Sequence, residues 1–357
     1  MRAPKFWQTG GNRLAAIALS PASMLYRFGA LASQVGISPF TPDVPVICIG
    51  NLVAGGAGKT PTAMAVTRWF QDHRHRPHIL LRGYGGSLSR SGPHQVNPAQ
   101  HSVSEVGDEA LLHARVAPTF ISANRVAGAT AAAERANVIV MDDGFQNPTL
   151  EKALSILVFD AEYGIGNGRV LPAGPLREPL TAGLKRADAI VVIGRGHVTS
   201  KLRHSDLPIL RAQLVPDATA NDLKGRSVYA FSGIGNPRKF ERTLMELGCN
   251  VVGFRSFPDH HNFTDAELDQ VMKLAAGLDA IPVTTEKDLV RIAPDRRDQV
   301  RAISVRLTFE RPEQLDQLLS PVLTANTDAT IAGISAQPIS VVTTASAPPA
   351  AQDQDAP

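Results

Sequence analysis

A lysine and a threonine that follow a glycine-rich run, at Gly58-Lys59-Thr60, are the side chains of this sequence best suited to handling a triphosphate. The stretch 44–60 reads VPVICIGNLVAGGAGKT: an apolar run, a glycine-rich loop, then the opening of a helix. Backbone amides of Gly55, Gly56, Ala57 and Gly58 can turn towards phosphate oxygens, because glycine accepts the unusual dihedrals and lets a ligand come close. Lys59 suits the β- and γ-phosphates and the Thr60 hydroxyl suits Mg²⁺. A helix N-terminus adds partial positive charge. The strict G-x-x-x-x-G-K-[ST] pattern is broken at Val53, and Ala54 stands where membrane-partitioning ATPases carry a signature lysine. Both residues still belong to the expected ATP loop.

Other groups fit beside that loop. Residues 137–144, NVIVMDDG, read as a buried strand that ends in Asp142 and Asp143, where phosphate-loop enzymes hold Mg²⁺ or its water. Asp108 and Glu109 open a helical pattern, either as caps or as an acid that receives a hydroxyl proton. Asp259, His260 and His261 lie together in FPDHHNF. Neighbours on an extended chain point opposite ways, so one histidine as a base or base partner is more economical than a metal pair. The segment 167–179, NGRVLPAGPLREP, is too rich in Pro and Gly for helix or strand and reads as a fixed loop, whose arginines could grip phosphate. Arg82 and Arg125 raise the same reading, against that of solvated charge.

Positioning these groups requires a sheet. Apolar runs at 44–49, 78–81, 137–141, 155–159, 189–193, 227–231, 251–253 and 280–283 read as strands, with helical patterns at 108–116, 127–136, 239–247 and 265–278. Thr264 reads as the N-cap of the last of these. Strands that alternate with helices predict a mostly parallel α/β sheet covered on both faces, with the loop at the carboxyl end of its strand. A polar stretch at 215–224 marks a division into a core over 37–215 and a smaller α/β domain over 216–323.

The chain has 357 residues, 43% hydrophobic content and a net charge of +3, so it can build a large core and nothing global calls for nucleic acid. Cys48 and Cys249 make no metal spacing and fit a reducing compartment. No acidic residue precedes Asp43, whereas Arg2, Lys5, Arg13 and Arg27 stand among Phe6, Trp7, Leu25 and Phe28. A basic, apolar, aromatic segment over 1–36 suits docking on an anionic membrane surface. Pro21 interrupts it, and the thirteen residues between Arg13 and Arg27 fall short of the roughly 20 needed for a span. Residues 324–357 lean on Ala, Thr, Ser, Pro and Gln and read as a disordered tail.

Taken together, GNLVAGGAGKTP, RGYGG, VGDE, DDGFQN, NGRVLPAGPLREP, FPDHHNF and TTEKD resemble the tetraacyldisaccharide 4′-kinases in content and order, from Gly50 to Asp288. The resemblance implies a phosphate-loop NTPase-type fold with a second smaller domain and an N-terminal helix docked at the cytoplasmic face of the inner membrane. It implies transfer of the ATP γ-phosphoryl to the 4′-hydroxyl of a lipid-linked glucosamine disaccharide in lipid A biosynthesis, with no obligate protein partner. By the same likeness Asp108 is the catalytic acid/base, working with His260 or His261, of which His260 is preferred. Lys59 balances charge in transfer. Mg²⁺ falls to Thr60, Asp142 and Asp143, with Glu109 and Glu178 beside them, and Arg125 and Arg177 hold phosphates. Asn147 stands where the family commonly has histidine. Two other readings remain: a membrane-associated phosphate-loop ATPase switch, and a kinase of a soluble sugar.

Overall fold

Apolar runs of five to seven residues build the centre of the molecule, and they do so as parallel strands buried on both faces. The computed structural model describes residues 4–335. Among them the strands are β1 (Val46–Gly50), β2 (Pro77–Leu81), β3 (His94–Gln95), β4 (Thr119–Ile121), β5 (Val138–Asp142), β6 (Leu154–Asp160), β7 (Ala189–Ile193), β8 (Ile209–Pro216), β9 (Ser227–Ser232), β10 (Asn250–Ser256), β11 (Ile281–Thr285), β12 (Arg301–Ile303) and β13 (Val305–Phe309). The larger sheet runs β13-β8-β7-β6-β1-β5-β2-β4-β3, and the smaller runs β10-β9-β11-β12. Only the two outermost pairs of the large sheet, β13 with β8 and β3 with β4, are antiparallel. The fold is therefore α/β with a mostly parallel sheet, as expected.

Alternation along β1 and β5 divides the core. Ile47, Ile49, Val138 and Val140 pack with Ala63, Val66 and Phe70 of the helix Lys59–Asp72. Cys48, Ile139 and Met141 turn to the other face, against Ala129 and Ala132 of the helix Arg125–Ala133. Successive side chains on a strand point to opposite faces, so each run serves both layers.

The chain's return corrects the expected domain limits. The expected smaller unit, 216–323, includes residues 304–323. Instead β13 pairs with β8, register Leu307 to Leu214, and Leu315 and Leu319 of the following helix enter the core that holds Phe70. Backbone pairing along the open edge of β8 decides this, and VRLTF does not carry that information by itself. The boundary at 215/216 also falls inside β8, whose Arg211 and Gln213 blur its pattern. The helix Pro312–Ser335 covers the first part of the expected tail, and 336–357 lie outside the described residues.

The N-terminal segment forms two helices, Arg13–Ala18 and Ser20–Ala32, separated at Leu19. Pro21 is accommodated in the first turn of the second, where its missing N–H costs nothing. Leu14, Leu25 and Phe28 are 77%, 74% and 66% exposed, a density of bare apolar surface that a self-contained core would not leave. Among the described residues no helix is long and apolar enough to cross a membrane. The same segment is sewn to the 167–179 loop: Trp7 Nε1 donates to Pro172 O at 3.0 Å, and Ser23 Oγ donates to Val170 O at 2.9 Å.

Candidate active site

The glycine-rich loop leaves the carboxyl end of β1 and turns into the helix Lys59–Asp72. Gly58, at φ +92°, makes that turn, and a Cβ there would stand 2.5 Å from Ile193 Cδ1. Gly55 and Gly56 are exposed, which leaves their backbone open to a ligand. Val53 and Ala54 serve the loop's other side. Val53 bridges to Leu176, and Ala54 N donates to Pro175 O at 2.8 Å. The NGRVLPAGPLREP segment is thus a brace that fixes the loop and brings Arg177 to the site, where Arg177 N donates to Leu52 O at 2.7 Å.

Side chains converge beyond the loop. Lys59 Nζ lies 3.2 Å from Asn51 Oδ1 and 3.6 Å from Asp143 Oδ1. Arg177 Nη1 reaches the same Asp143 oxygen at 3.1 Å. Asp143 adopts φ +54°, a strained left-handed conformation for a non-glycine residue. Thr60 Oγ1 donates to Asp142 Oδ2 at 3.1 Å, and the His113 Nε2–H donates to the same oxygen at 2.9 Å. Burial would raise the Asp142 carboxyl, but the His113 hydrogen bond and the Lys59 charge prevail and lower it. Asp142 Oδ1 is buried without a partner. An ionised carboxylate oxygen left bare beside a threonine hydroxyl fits a hydrated Mg²⁺, which uses one or two carboxylates and completes its shell with water and phosphate. Glu109 and Glu178 are engaged elsewhere, the first by Lys287 at 3.2 Å, the second by Arg186 and by Gln146 Nε2 at 3.2 Å. No three metal-binding side chains converge among the described residues.

A cavity of about 540 Å³ opens next to these acids, lined by Gly107, Glu109, Arg125, Asp142, Asp143 and Arg177 among others. Arg125 is 4% exposed, and its Nη1 donates to Ser122 O at 3.0 Å. Burial and then the neighbouring Arg82 push its guanidinium down to about 10, so it remains charged at neutral pH.

Asp108 begins the helix Asp108–His113, directly after Gly107, whose φ of +87° and contact with Tyr84 O exclude a side chain. His260 Nδ1–H donates to Asp108 Oδ2 at 2.9 Å. Burial would raise the Asp108 carboxyl, but the His260 hydrogen bond and the charges of Lys287 and Arg291 hold it well below the usual aspartate range. His260 sits at φ +59°, and this turn separates the adjacent histidines. His261 instead bonds Glu267 Oε2 at 2.9 Å and stacks on Phe257.

Several site residues were not singled out in the sequence. His113 ends the helix that Asp108 begins and is fully buried on Asp142, yet DEALLH reads as ordinary helix. Asn51, Gln146 and Arg186 support Lys59 and Glu178; the first two lie within recognised motifs but had no role. Arg291 lies three residues past TTEKD and carried no signal.

Asp142, Asp143 and Arg177, grouped at the glycine-rich loop, line one cavity with Gly107 and Glu109, the chain neighbours of the buried Asp108 that bonds His260. A glycine-rich loop at the carboxyl end of a parallel strand, with Lys59 and with Thr60 on Asp142, defines the phosphate-loop class of nucleotide-using proteins. Comparison with known proteins narrows the class. A family profile described as tetraacyldisaccharide-1-P 4′-kinase matches residues 15–324. The tetraacyldisaccharide 4′-kinase of Rhodospirillum centenum is 50% identical over 337 residues, covering 92% of this chain and 98% of its own. That of Paramagnetospirillum magneticum is 45% identical, covering 90% and 99%. A crystal structure of LpxK from Aquifex aeolicus in complex with ATP matches with a TM-score of 0.68 and 31% identity, over 86% of this chain and 99% of that one. The chain belongs to the tetraacyldisaccharide 4′-kinase family.

Proposed function

We propose that the protein transfers the γ-phosphoryl group of ATP to the 4′-hydroxyl of a tetraacylated glucosamine disaccharide 1-phosphate, a step of lipid A biosynthesis. The observation that carries the reading is the Asp108–His260 pair beside the cavity that also meets Asp142, Asp143 and Arg177. Loop amides and Lys59 hold the phosphates. Thr60 and Asp142 would hold Mg²⁺, which would supply positive charge to offset the negative charge built up in transfer. Lys59, Arg177 and Arg125 supply further positive charge around the transferred group. Asp108 takes the proton of the hydroxyl, and His260 orients the carboxylate and stabilises it. Placement and electrostatics account for most of the acceleration in such transfers.

We further propose that the two N-terminal helices rest on the cytoplasmic face of the inner membrane, with Leu14, Leu25 and Phe28 in the lipid. Their exposure and the wholly basic charge before Asp43 support this. The helices also brace the loop carrying Arg177, so substitutions test docking more cleanly than deletion. Leu25→Glu with Phe28→Glu is expected to abolish flotation with anionic vesicles and leave the melting midpoint unchanged; undiminished flotation refutes docking.

The decisive assay is incubation with radiolabelled ATP and the disaccharide lipid, scored by chromatography. Label is expected in the lipid, and ATP consumption is expected to depend on that acceptor. Asp108→Ala is expected to slow transfer about 10²-fold or more. Hydrolysis regardless of acceptor would favour a switch, and label entering only soluble sugars would replace the acceptor.

A further inference from the structure

The TTEKD segment has no task in the reading above, yet it lies directly behind the acid of the site. Thr285 caps the helix Glu286–Leu289 and its Oγ1 donates to Asp288 Oδ2 at 2.7 Å. Asp288, fully buried, uses Oδ1 to accept from Gly233 N and from Arg291 Nη1, each at 3.0 Å. Arg291 Nη1 also donates to Gly233 O at 2.7 Å. The remaining edge of the guanidinium meets Asp108: Nε donates to Oδ2 at 2.8 Å, and Nη2 donates to the same oxygen. The Arg291 side chain is 1% exposed.

We infer that Arg291, oriented by Asp288, is a positioning residue that locks Asp108 so that Oδ1 is the oxygen offered to the acceptor hydroxyl; this rests on the acid/base reading of Asp108. Oδ2 receives Arg291 Nε, Arg291 Nη2 and His260 Nδ1, which exhausts its lone pairs. Oδ1 receives only the N–H of Glu109, at 2.9 Å, among the described residues, and keeps one lone pair free. The acceptor proton passes to that lone pair as the hydroxyl oxygen bonds phosphorus and the bond from phosphorus to the departing ADP oxygen breaks. A planar fork held at its far edge by a second carboxylate fixes rotation of the carboxyl group, which a lysine ammonium cannot do. Asp108 stands on the large-sheet unit, whereas Arg291, Asp288 and His260 come with the smaller sheet. The base is therefore set only when the two units are in contact.

Arg291→Gln, Arg291→Lys and Asp108→Asn test this in the full chain, with kcat and the KM for ATP followed across pH. Arg291→Gln is expected to lower kcat by about 10- to 10²-fold, the scale of a misplaced reacting group, with the KM for ATP unchanged. Its acidic limb is expected to move to higher pH, because a carboxylate that loses a cation protonates more readily. Arg291→Lys is expected to restore the limb but not kcat. Added to Asp108→Asn, the glutamine is expected to cause no further loss. Wild-type turnover in Arg291→Gln, or lost turnover with the limb unmoved, overturns the inference. Normal turnover in Asp108→Asn overturns the acid/base reading itself, whereas an inactive Asp108→Asn beside a fully active Arg291→Gln overturns the positioning role alone. If Arg291→Gln does not fold, Asp288→Asn, which loosens the far edge of the guanidinium, is read against the same outcomes.

Discussion

Thr60 and Asp142 meet with Oγ1 3.1 Å from Oδ2, although they lie on different elements of the sheet's upper edge. The contact follows from register. Parallel pairing sets Ile49 of β1 opposite Asp142 of β5, so the first turn of the loop helix and the acid at the strand end must face each other. Thr60→Val keeps the volume and removes the oxygen. It is expected to raise the Mg²⁺ concentration for half-maximal activity by about 10-fold or more, the scale of losing a group at a metal site. Titration of activity with Mg²⁺ measures it, and an unchanged midpoint removes Thr60 from the metal.

Adjacent histidines with different partners give a sharp contrast. His260→Ala is expected to lower kcat about 10²-fold, since it removes the hydrogen bond to Asp108. His261→Ala is expected to leave kcat within a few-fold and to cost about 1 kcal/mol of stability, through the Glu267 hydrogen bond and the Phe257 stack. Steady-state kinetics and urea melts of both variants decide; equal kinetic losses would mean that the two are not divided in this way.

Gly58→Ala places a methyl in a left-handed turn and against Ile193. Left-handed conformation alone costs an alanine roughly 1–2 kcal/mol. A lower melting midpoint and weaker ATP binding are expected. Gly56→Ala, where a Cβ meets nothing within 4 Å, is the control and is expected to melt like the wild type.

Glu267 sets a pH dependence of stability. Its hydrogen bonds from the Thr264 amide, from His261 and from the Thr264 hydroxyl lower the carboxyl from 4.5 to about 2. A depressed carboxyl contributes stability above its unfolded value and loses it as pH falls through the folded one. The contribution is therefore complete at neutral pH and fades between about 4.5 and about 2. Glu267→Gln is expected to be less stable than wild type at pH 7 in urea melts, with the gap closing across that window. A gap constant with pH would assign the effect to packing.

The parallel sheet was legible because its inner strands are continuous apolar runs: β7 falls on 189–193 as read, and β1, β5 and β6 shift at their ends by one or two residues. The strands β3, β4, β8, β12 and β13 have no counterpart among the apolar runs read from the sequence. They are short or half polar, and pairing with a neighbour rather than their own composition makes them strands. The cap at Thr264 was legible too, because a capping box is local chemistry three residues long.

Local spacing determined the phosphate loop, the acids that end β5 and the rigid Pro-Gly brace, since each is a matter of which residues are chain neighbours. The motif series also determined the family. Tertiary structure alone decided that His260 rather than His261 reaches Asp108, that His113 supports Asp142, that Arg291 grips Asp108 from 183 positions away, and that the last described strand, β13, returns to the first sheet. Those contacts join segments distant along the chain, and the direction of a side chain there depends on backbone turns and sheet register that no short stretch of residues specifies.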